Sequence, residues 1–417
     1  MSEMMELDDA IACVVAAAAR ARPGHEAVPL GEALFRTLAV DVRSAEPWPP
    51  TDRSAMDGFA VAAAAAIGVG ARFAVVGESL AGRPFERALV PGEAVRIMTG
   101  AVVPTGARAV VRVEDTSGFG TAQLPADSVV VTTTVADRSN IRPLGSELAA
   151  NAIVLRAGTR LRAAQVGVLA VLGHTTVPVV TRPRVAIVST GDEVVSADRV
   201  PAPHQVRDSN SWSLAAQCAE LGAEAIRLGI APDEGSALRE VLARGLEYDV
   251  LLTIGGVSAG THDLVQPTLA ALGVRTVFHG VRLKPGKPTF FGTLERGERV
   301  TFVFGLPGNP ASAFTTCDLF IAHLLAAWFG RRIRRSRLPL GGATPRVDPR
   351  TQAIVAQWSA GGDGSPSLAL ERLRPSGDPF ALARGAWHAI VPAGSAPAVG
   401  SQIEAQAFSD PGENPCA

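Results

Sequence analysis

The chain has 417 residues, a formal net charge of −1, 47% hydrophobic residues and 19% charged residues. That length exceeds one ordinary core and predicts about two to four domains. The composition excludes a disordered chain. The near-neutral balance excludes a global field that would draw the protein to nucleic acid or to an anionic membrane, so any anion site must be local.

The four cysteines, Cys13, Cys218, Cys317 and Cys416, are scattered, with no paired metal-ligand spacing and no disulfide framework. That usage fits a reducing cytosol. Glu3, Glu6, Asp8 and Asp9 precede the first apolar stretch, whereas a secretory signal begins with positive charge. A cytoplasmic protein is expected. No uninterrupted run of about 18 apolar residues occurs, so no membrane span is predicted.

Leu7, Ile11, Val14, Val15 and Ala18 share one face at helical spacing, which predicts a helix over 7–20, stopped by Pro23-Gly24. With little chain nearby to pack on, this helix should dock on a distant segment or on a second subunit. Pro47, Pro49 and Pro50 make 45–56 an extended connector. Short apolar runs follow at 73–76, 94–97, 109–113 and 129–133, separated by Gly/Pro turns, as in a small β-rich domain over 50–138. Residues 139–181 return to a mixed pattern with a predicted helix at 163–172. Because 1–49 and 139–181 flank the β-rich module, it reads as an insertion into an elongated N-terminal domain.

From 182 to 331 strands and helices alternate. Strands are predicted at 185–188, 225–230, 249–254 and 300–304. Helices are predicted at 211–221, 234–245, 263–272 and 310–329. Ser209 or Asn210 is expected to cap the first of these helices, and Asp233 opens the second. The repetition implies a doubly wound, mostly parallel α/β sheet. The run Arg331-Arg332-Ile333-Arg334-Arg335 marks a boundary and reads as a solvated linker. Residues 332–408 read as a small β-barrel-like domain and 409–417 as a frayed tail.

Residues 249–310 hold the densest chemistry. One strand runs into Gly255-Gly-Val-Ser-Ala-Gly-Thr-His-Asp263, a second leads to Lys284-Pro-Gly-Lys-Pro288, and a third runs into Gly305-Leu-Pro-Gly-Asn-Pro310. Strand ends of an open parallel sheet converge on one crevice where ligands bind. Glycines let backbone N–H groups approach a ligand, and Asn309 opens the last helix as part of an anion-friendly cup. Lysines seldom sit buried beside strands without an anion. Lys284, Lys287 and Asp263 together suggest a phosphorylated ligand with a metal ion. Ser189-Thr-Gly-Asp-Glu193 adds two carboxylates at another strand end, suited to Mg²⁺. Asp57-Gly58, in Ser54-Ala-Met-Asp-Gly-Phe-Ala60, is by itself compatible with an ordinary turn, as Gly92–Ala101 is with a strand and turn. There is no Walker A loop and no zinc spacing among the seven histidines.

Taken in order, Ser54–Ala60, Gly92–Ala101, Ser189–Glu193, Asp208-Ser-Asn210, Gly255–Asp263, Lys284–Pro288 and Gly305–Pro310 resemble the molybdopterin molybdenumtransferases, the family that includes the gephyrin E domain. The resemblance spans residues 1 to about 408. It implies a four-part elongated subunit with a molybdopterin-binding α/β domain, and a homodimer whose cleft combines the α/β domain of one subunit with the first two domains of the other. The implied reaction inserts molybdenum from molybdate into adenylylated molybdopterin, with Mg²⁺, and releases AMP. Asp57, Glu193, Asp233 and Asp263 are then the acidic residues for cleavage, with Asp57, Glu193 and Asp263 as metal ligands. Ser258, Lys284 and Lys287 would hold phosphate or molybdate. Gly255, Gly256 and Gly260 would admit the ligand to the backbone, with Pro307, Asn309 and Pro310 shaping the cleft. Other proteins of molybdenum-cofactor biosynthesis are implied partners. The chain departs from the family pattern at Gly145-Ser146-Glu147, where Gly-Glu-Asp is usual, at Arg108, and at His262. A non-catalytic molybdopterin-binding scaffold and a molybdopterin adenylyltransferase are the alternatives.

Overall fold

The computed structural model describes residues 4–117, 127–232, 235–256, 264–360, 364–371 and 378–409. The chain forms two compact units, one made of residues 1–40 and 156–417 and the other of residues 41–155.

The 41–155 unit is built on a five-stranded sheet in the order Ala109–Arg112, Gly58–Val61, Glu93–Ile97, Arg72–Ser79, Ser128–Val130. Side chains alternate across a strand, and here both faces are covered. Phe59, Val61 and Val111 join one apolar cluster. Ala60, Val95, Ile97 and Val110 join another. The predicted short β runs are therefore real strands, and Gly58–Val61 is buried along its whole length.

The larger unit carries a six-stranded sheet. Its order is Glu224–Ala231, Arg184–Thr190, Val250–Ile254, Arg299–Leu306, Phe290–Arg296, Arg275–His279. The first four strands are parallel. On one face Val185, Ile187 and Leu252 pack with Leu214 and Phe320 from helices. On the other, Ala186, Val188 and Leu251 pack with Leu238, Leu242 and Leu269. That is the doubly wound arrangement expected from the alternating pattern. Phe290–Arg296 departs from it, running antiparallel to both of its neighbours. The sequence reading had no strand there. The hairpin turns at Gly297, whose φ of 62° lies in the left-handed region that glycine tolerates.

The N-terminal helix, Leu7–Ala18, buries Leu7, Ala10, Ile11, Val14 and Ala18 in the same cluster as Phe320 and Leu324. Its docking partner is thus a distant segment of its own chain. The last helical run, Pro310–Trp328, is long and apolar enough to cross a membrane by length and composition alone, but 83% of that window is buried inside the fold. It is a core helix.

The C-terminal strands Ser336–Gly341, Thr351–Ala360, Pro366–Leu370, Trp387–Val391 and Gln402–Ala407 pair in a ring, which Thr351–Ala360 closes against Trp387–Val391. Closure removes exposed strand edges. One further short strand, Leu283–Lys284, adds to this barrel in parallel, with Leu283 opposite Thr351.

Candidate active site

One register row crosses the larger sheet and fixes the site. Gly229 pairs with Val188, Val188 with Thr253, Thr253 with Gly305, Gly305 with Phe290 and Phe290 with His279. Just beyond that row, on one edge, four connections leave the sheet. They are Gly191–Glu193 after Thr190, Gly255-Gly256 after Ile254, Pro307–Asn309 after Leu306, and the 280–289 segment between His279 and Phe290. Adjacent strands lie about 4.8 Å apart, so the Glu193 and Lys287 connections start roughly 19 Å from each other along this rim. Both stand on the same edge. The strand order reverses between Arg184–Thr190 and Val250–Ile254. Such a switch point is where an open α/β sheet admits a ligand.

The glycines at the switch point are there for space. A Cβ on Gly255 would lie 2.9 Å from the carbonyl oxygen of Thr190, and one on Gly256 would lie 2.5 Å from Val265 Cγ2. Both have positive φ, 86° and 61°. Gly308 is less confined, since a Cβ there would lie 3.6 Å from Gly255 Cα, an ordinary contact. Asn210 donates from Nδ2 to the carbonyl oxygen of Gly308 across 2.7 Å, tying two of the sequence strings together. The helix 210–220 is capped by neither Ser209 nor Asn210, as the sequence reading expected. The nearly buried Asp208 does this instead, accepting from Ser211 N at 3.0 Å and Ser211 Oγ at 2.7 Å. An ionised carboxylate is the stronger acceptor for helix N–H groups, which frees Asn210 to hold the Gly308 turn. Ser189 Oγ and Asn309 Oδ1 are buried with no hydrogen-bond partner among the described residues.

The 280–289 segment presents Lys284 and Lys287 at the surface. Lys284 Nζ donates to Asp348 Oδ2 at 2.7 Å. The neighbouring ammonium, with help from Arg350, holds the Asp348 carboxyl down to about 2. Lys287 makes no ion pair among the described residues. The Glu193 carboxylate folds back over its own turn, where a Cβ on Gly191 would meet Oε2 at 2.7 Å.

Asp57 belongs to the 41–155 unit, where Ser54–Ala60 and Gly92–Ala101 form one corner. Gly58 pairs with Ile97. Asp57 Oδ1 accepts from Thr99 N at 2.6 Å and Thr99 Oγ1 at 2.8 Å. These donors, the backbone N–H first, hold its carboxyl below the usual range. At the departure from the family pattern, Glu147 forms an ion pair with Arg142 at 3.1 Å. The second departure, Arg108, is likewise paired with Asp137 at 3.1 Å.

The structure therefore gathers Glu193, Gly255, Gly256, Lys284, Lys287, Pro307, Asn309 and Pro310 on one rim. Asp233, Ser258, Gly260, His262 and Asp263 lie outside the described residues. Among the described residues, no group of three His, Cys, Asp or Glu is arranged to hold a metal ion. Sequence reasoning missed Asp348, which lies 64 positions from Lys284 and in no recognisable motif. It quoted Thr99 without giving it a role.

Comparison with known proteins agrees with this architecture. Residues 5–173 match the family described as MoeA N-terminal region (domain I and II), and residues 186–327 match the probable molybdopterin binding domain. The molybdopterin molybdenumtransferase of Nostoc is 38% identical over 305 residues, covering 72% of this chain and 68% of that protein. Molybdopterin molybdenumtransferase 2 of Mycobacterium tuberculosis is 37% identical, covering 80% and 84%. The crystal structure of a molybdopterin biosynthesis MoeA protein from Pyrococcus horikoshii superposes with a TM-score of 0.80 at 26% identity, covering 97% of this chain and 100% of that one. The chain belongs to the molybdopterin molybdenumtransferase (MoeA) family of enzymes.

Proposed function

We propose that the protein inserts molybdenum from molybdate into adenylylated molybdopterin and releases AMP, in the cytoplasm. One observation carries this reading: the two lysines, the two close glycine turns and the Glu193 carboxylate leave the same edge of one sheet, around its switch point. An extended ligand with a pyrophosphate between two end groups matches a rim of that breadth. Lys287 would bind oxyanion oxygens as a compact point charge. The Gly255-Gly256 backbone would let phosphate approach the chain, and the helix start at Asn309 offers unpaired N–H groups. Pro307 and Pro310 hold that start rigid.

The residues present also fit Mg²⁺, which needs only one or two carboxylates beside phosphate oxygens. Glu193, whose side chain makes no hydrogen bond among the described residues, would hold it, with Asp263 and Asp57 as the further ligands that the family resemblance assigns. When bound, the ion would polarise the phosphoanhydride. Asp57, kept ionised by the Thr99 donors, stays anionic and able to hold a cation in mildly acidic solution. The same resemblance gives a homodimer in which Asp57 serves the partner's cleft. Sedimentation velocity tests this, and a monomer at working concentration would overturn it.

The deciding assay supplies purified protein with adenylylated molybdopterin, molybdate and Mg²⁺ and follows AMP by chromatography. Molybdate-dependent AMP release is expected. Binding of the nucleotide without any release would refute the reading and favour a scaffold. ATP consumption with unadenylylated molybdopterin would refute it in favour of an adenylyltransferase.

A further inference from the structure

Among the 39 Lys and Arg side chains of this sequence, only Lys284 and Lys287 are lysines. Everywhere else a cation is needed the chain uses arginine. The two positions that keep an ammonium lie in one turn on the rim of the sheet. Lysine differs from arginine in being a compact charge with three donors on a flexible stem. A flexible stem needs something to aim it.

For Lys284 that support comes from another domain. Its backbone forms the short strand that pairs with the C-terminal barrel, with Lys284 opposite Gln352. Its ammonium reaches Asp348 Oδ2 at 2.7 Å. Asp348 is itself fixed on the barrel. Its Oδ1 accepts from Arg350 N and Arg350 Nε, both at 3.1 Å, and its backbone carbonyl accepts from Gly394 N at 2.8 Å. The Asp348 side chain is only 10% exposed, whereas that of Lys284 is 51% exposed. The carboxylate is therefore a rigid anchor, and the lysine keeps an open side on which its other donors face outward.

We propose that Asp348 is the positioning residue for Lys284, so that the C-terminal barrel is a working part of the oxyanion site. Asp348 touches no reacting atom. It fixes where the ammonium stands, holding it on Oδ2 while Oδ1 takes the Arg350 guanidinium. Lys287, which makes no ion pair among the described residues, is the cation free to meet the anion directly. The two lysines thus have separate duties. This inference rests on the oxyanion-binding reading given above.

Because the sequence holds two lysines, amine-directed chemistry can report on each of them. Full-length protein is treated with acetic anhydride, and acetylation of Lys284 and Lys287 is followed by mass spectrometry. In the wild type Lys284 should react more slowly than Lys287. Asp348→Asn should raise the Lys284 rate about fivefold without changing that of Lys287, since a neutral amide holds the side-chain nitrogen more weakly than the carboxylate does, and Asp348→Glu should restore the slow rate. In the molybdenum-insertion assay Asp348→Asn should raise KM for molybdate about tenfold with kcat within about twofold, the scale of effect expected from a misplaced binding group. Lys284→Met should do the same, and the double variant should be no worse than Lys284→Met alone. Equal reactivity of the two lysines in the wild type would overturn the proposal, even if Asp348→Asn fails to fold. So would additive losses in the double variant. A wild-type protein that turns nothing over would instead refute the molybdenumtransferase reading, and the reactivity comparison would still stand.

Discussion

His388 Nε2 lies 2.9 Å from Asp318 Oδ2, and both side chains are completely buried. Asp318 sits in a single π-helical turn, Cys317–Ile321, in the middle of the long core helix. His388 lies on a strand of the C-terminal barrel. The other oxygen of Asp318 accepts from Gln217 Nε2 at 2.9 Å and Ser409 N at 3.0 Å, while Gln406 Nε2 donates to its backbone carbonyl at 2.7 Å. The π turn thus places one carboxylate where the sheet-covering helix 210–220, the core helix and the barrel meet. A buried group with all its partners present is tolerated, but removing one partner strands the others. Asp318→Ala is expected to cost about 3–5 kcal/mol, read as a shift in urea midpoint. A change below about 0.5 kcal/mol, the range of ordinary surface substitutions, would show that the network contributes nothing to stability.

Gly58 gives a second, purely steric prediction. A Cβ at this position would lie 1.9 Å from the carbonyl oxygen of Val111, which belongs to the paired neighbouring strand. No rotamer relieves a clash with backbone, so the strands must part. Gly58→Ala should destabilise the 41–155 unit by more than about 4 kcal/mol. Hydrogen exchange would then show lost protection at 58–61, 93–97 and 109–112, the strands that pair around it. Retained protection in those strands would contradict the expected clash.

The ease with which the sequence could be read differed from one part to another. The parallel strands of the larger sheet carry near-continuous apolar runs such as Val250–Ile254, because they are buried on both faces. They were therefore visible, as were the glycine turns that follow them. Phe290–Arg296 was missed, since its helix-free connection to Arg299–Leu306 breaks the βαβ rhythm on which the reading depended. The Asp208 cap was assigned one or two residues late, because three consecutive polar residues all suit a helix start. Asp348 was invisible for a different reason. Its role depends on the pairing of Leu283–Lys284 with Thr351–Gln352, which brings positions 284 and 348 together, and nothing local in the sequence records such a pairing.

His323 makes stability depend on pH. Burial pushes its pKa down to about 4, against the pull of its contact with Gln406 Oε1 at 3.2 Å. In the unfolded chain the imidazole titrates near 6.5. Between those values the unfolded state binds more protons, so stability is fully present above about pH 6.5 and declines as pH falls toward 4. The loss should be on the order of 2–3 kcal/mol. Asp348 acts lower on the scale. Its folded pKa of about 2 lies below the ordinary 3.8, so its contribution is present above pH 3.8 and is lost as pH falls toward 2. Urea midpoints between pH 7 and pH 4 should fall less for His323→Gln than for the wild type. Parallel slopes would show that His323 is not the group responsible.

Lys287 separates charge from chemistry. It is exposed, and makes no ion pair among the described residues, so Lys287→Met should change folding stability by less than about 0.5 kcal/mol. Its cost should fall on the anion instead, raising KM for molybdate about thirtyfold, as loss of a charge-assisted contact of about 2 kcal/mol requires. Arginine preserves the positive charge but spreads it over a planar fork that suits carboxylates and phosphates in bidentate geometry. The guanidinium is larger than the ammonium and cannot place its charge where Lys287 Nζ stands, so Lys287→Arg should recover less than half of the lost binding free energy. Steady-state AMP release at varied molybdate measures both variants. Full recovery by arginine would mean that charge alone is needed at this position, and the exclusive use of lysine in this turn would then need another cause.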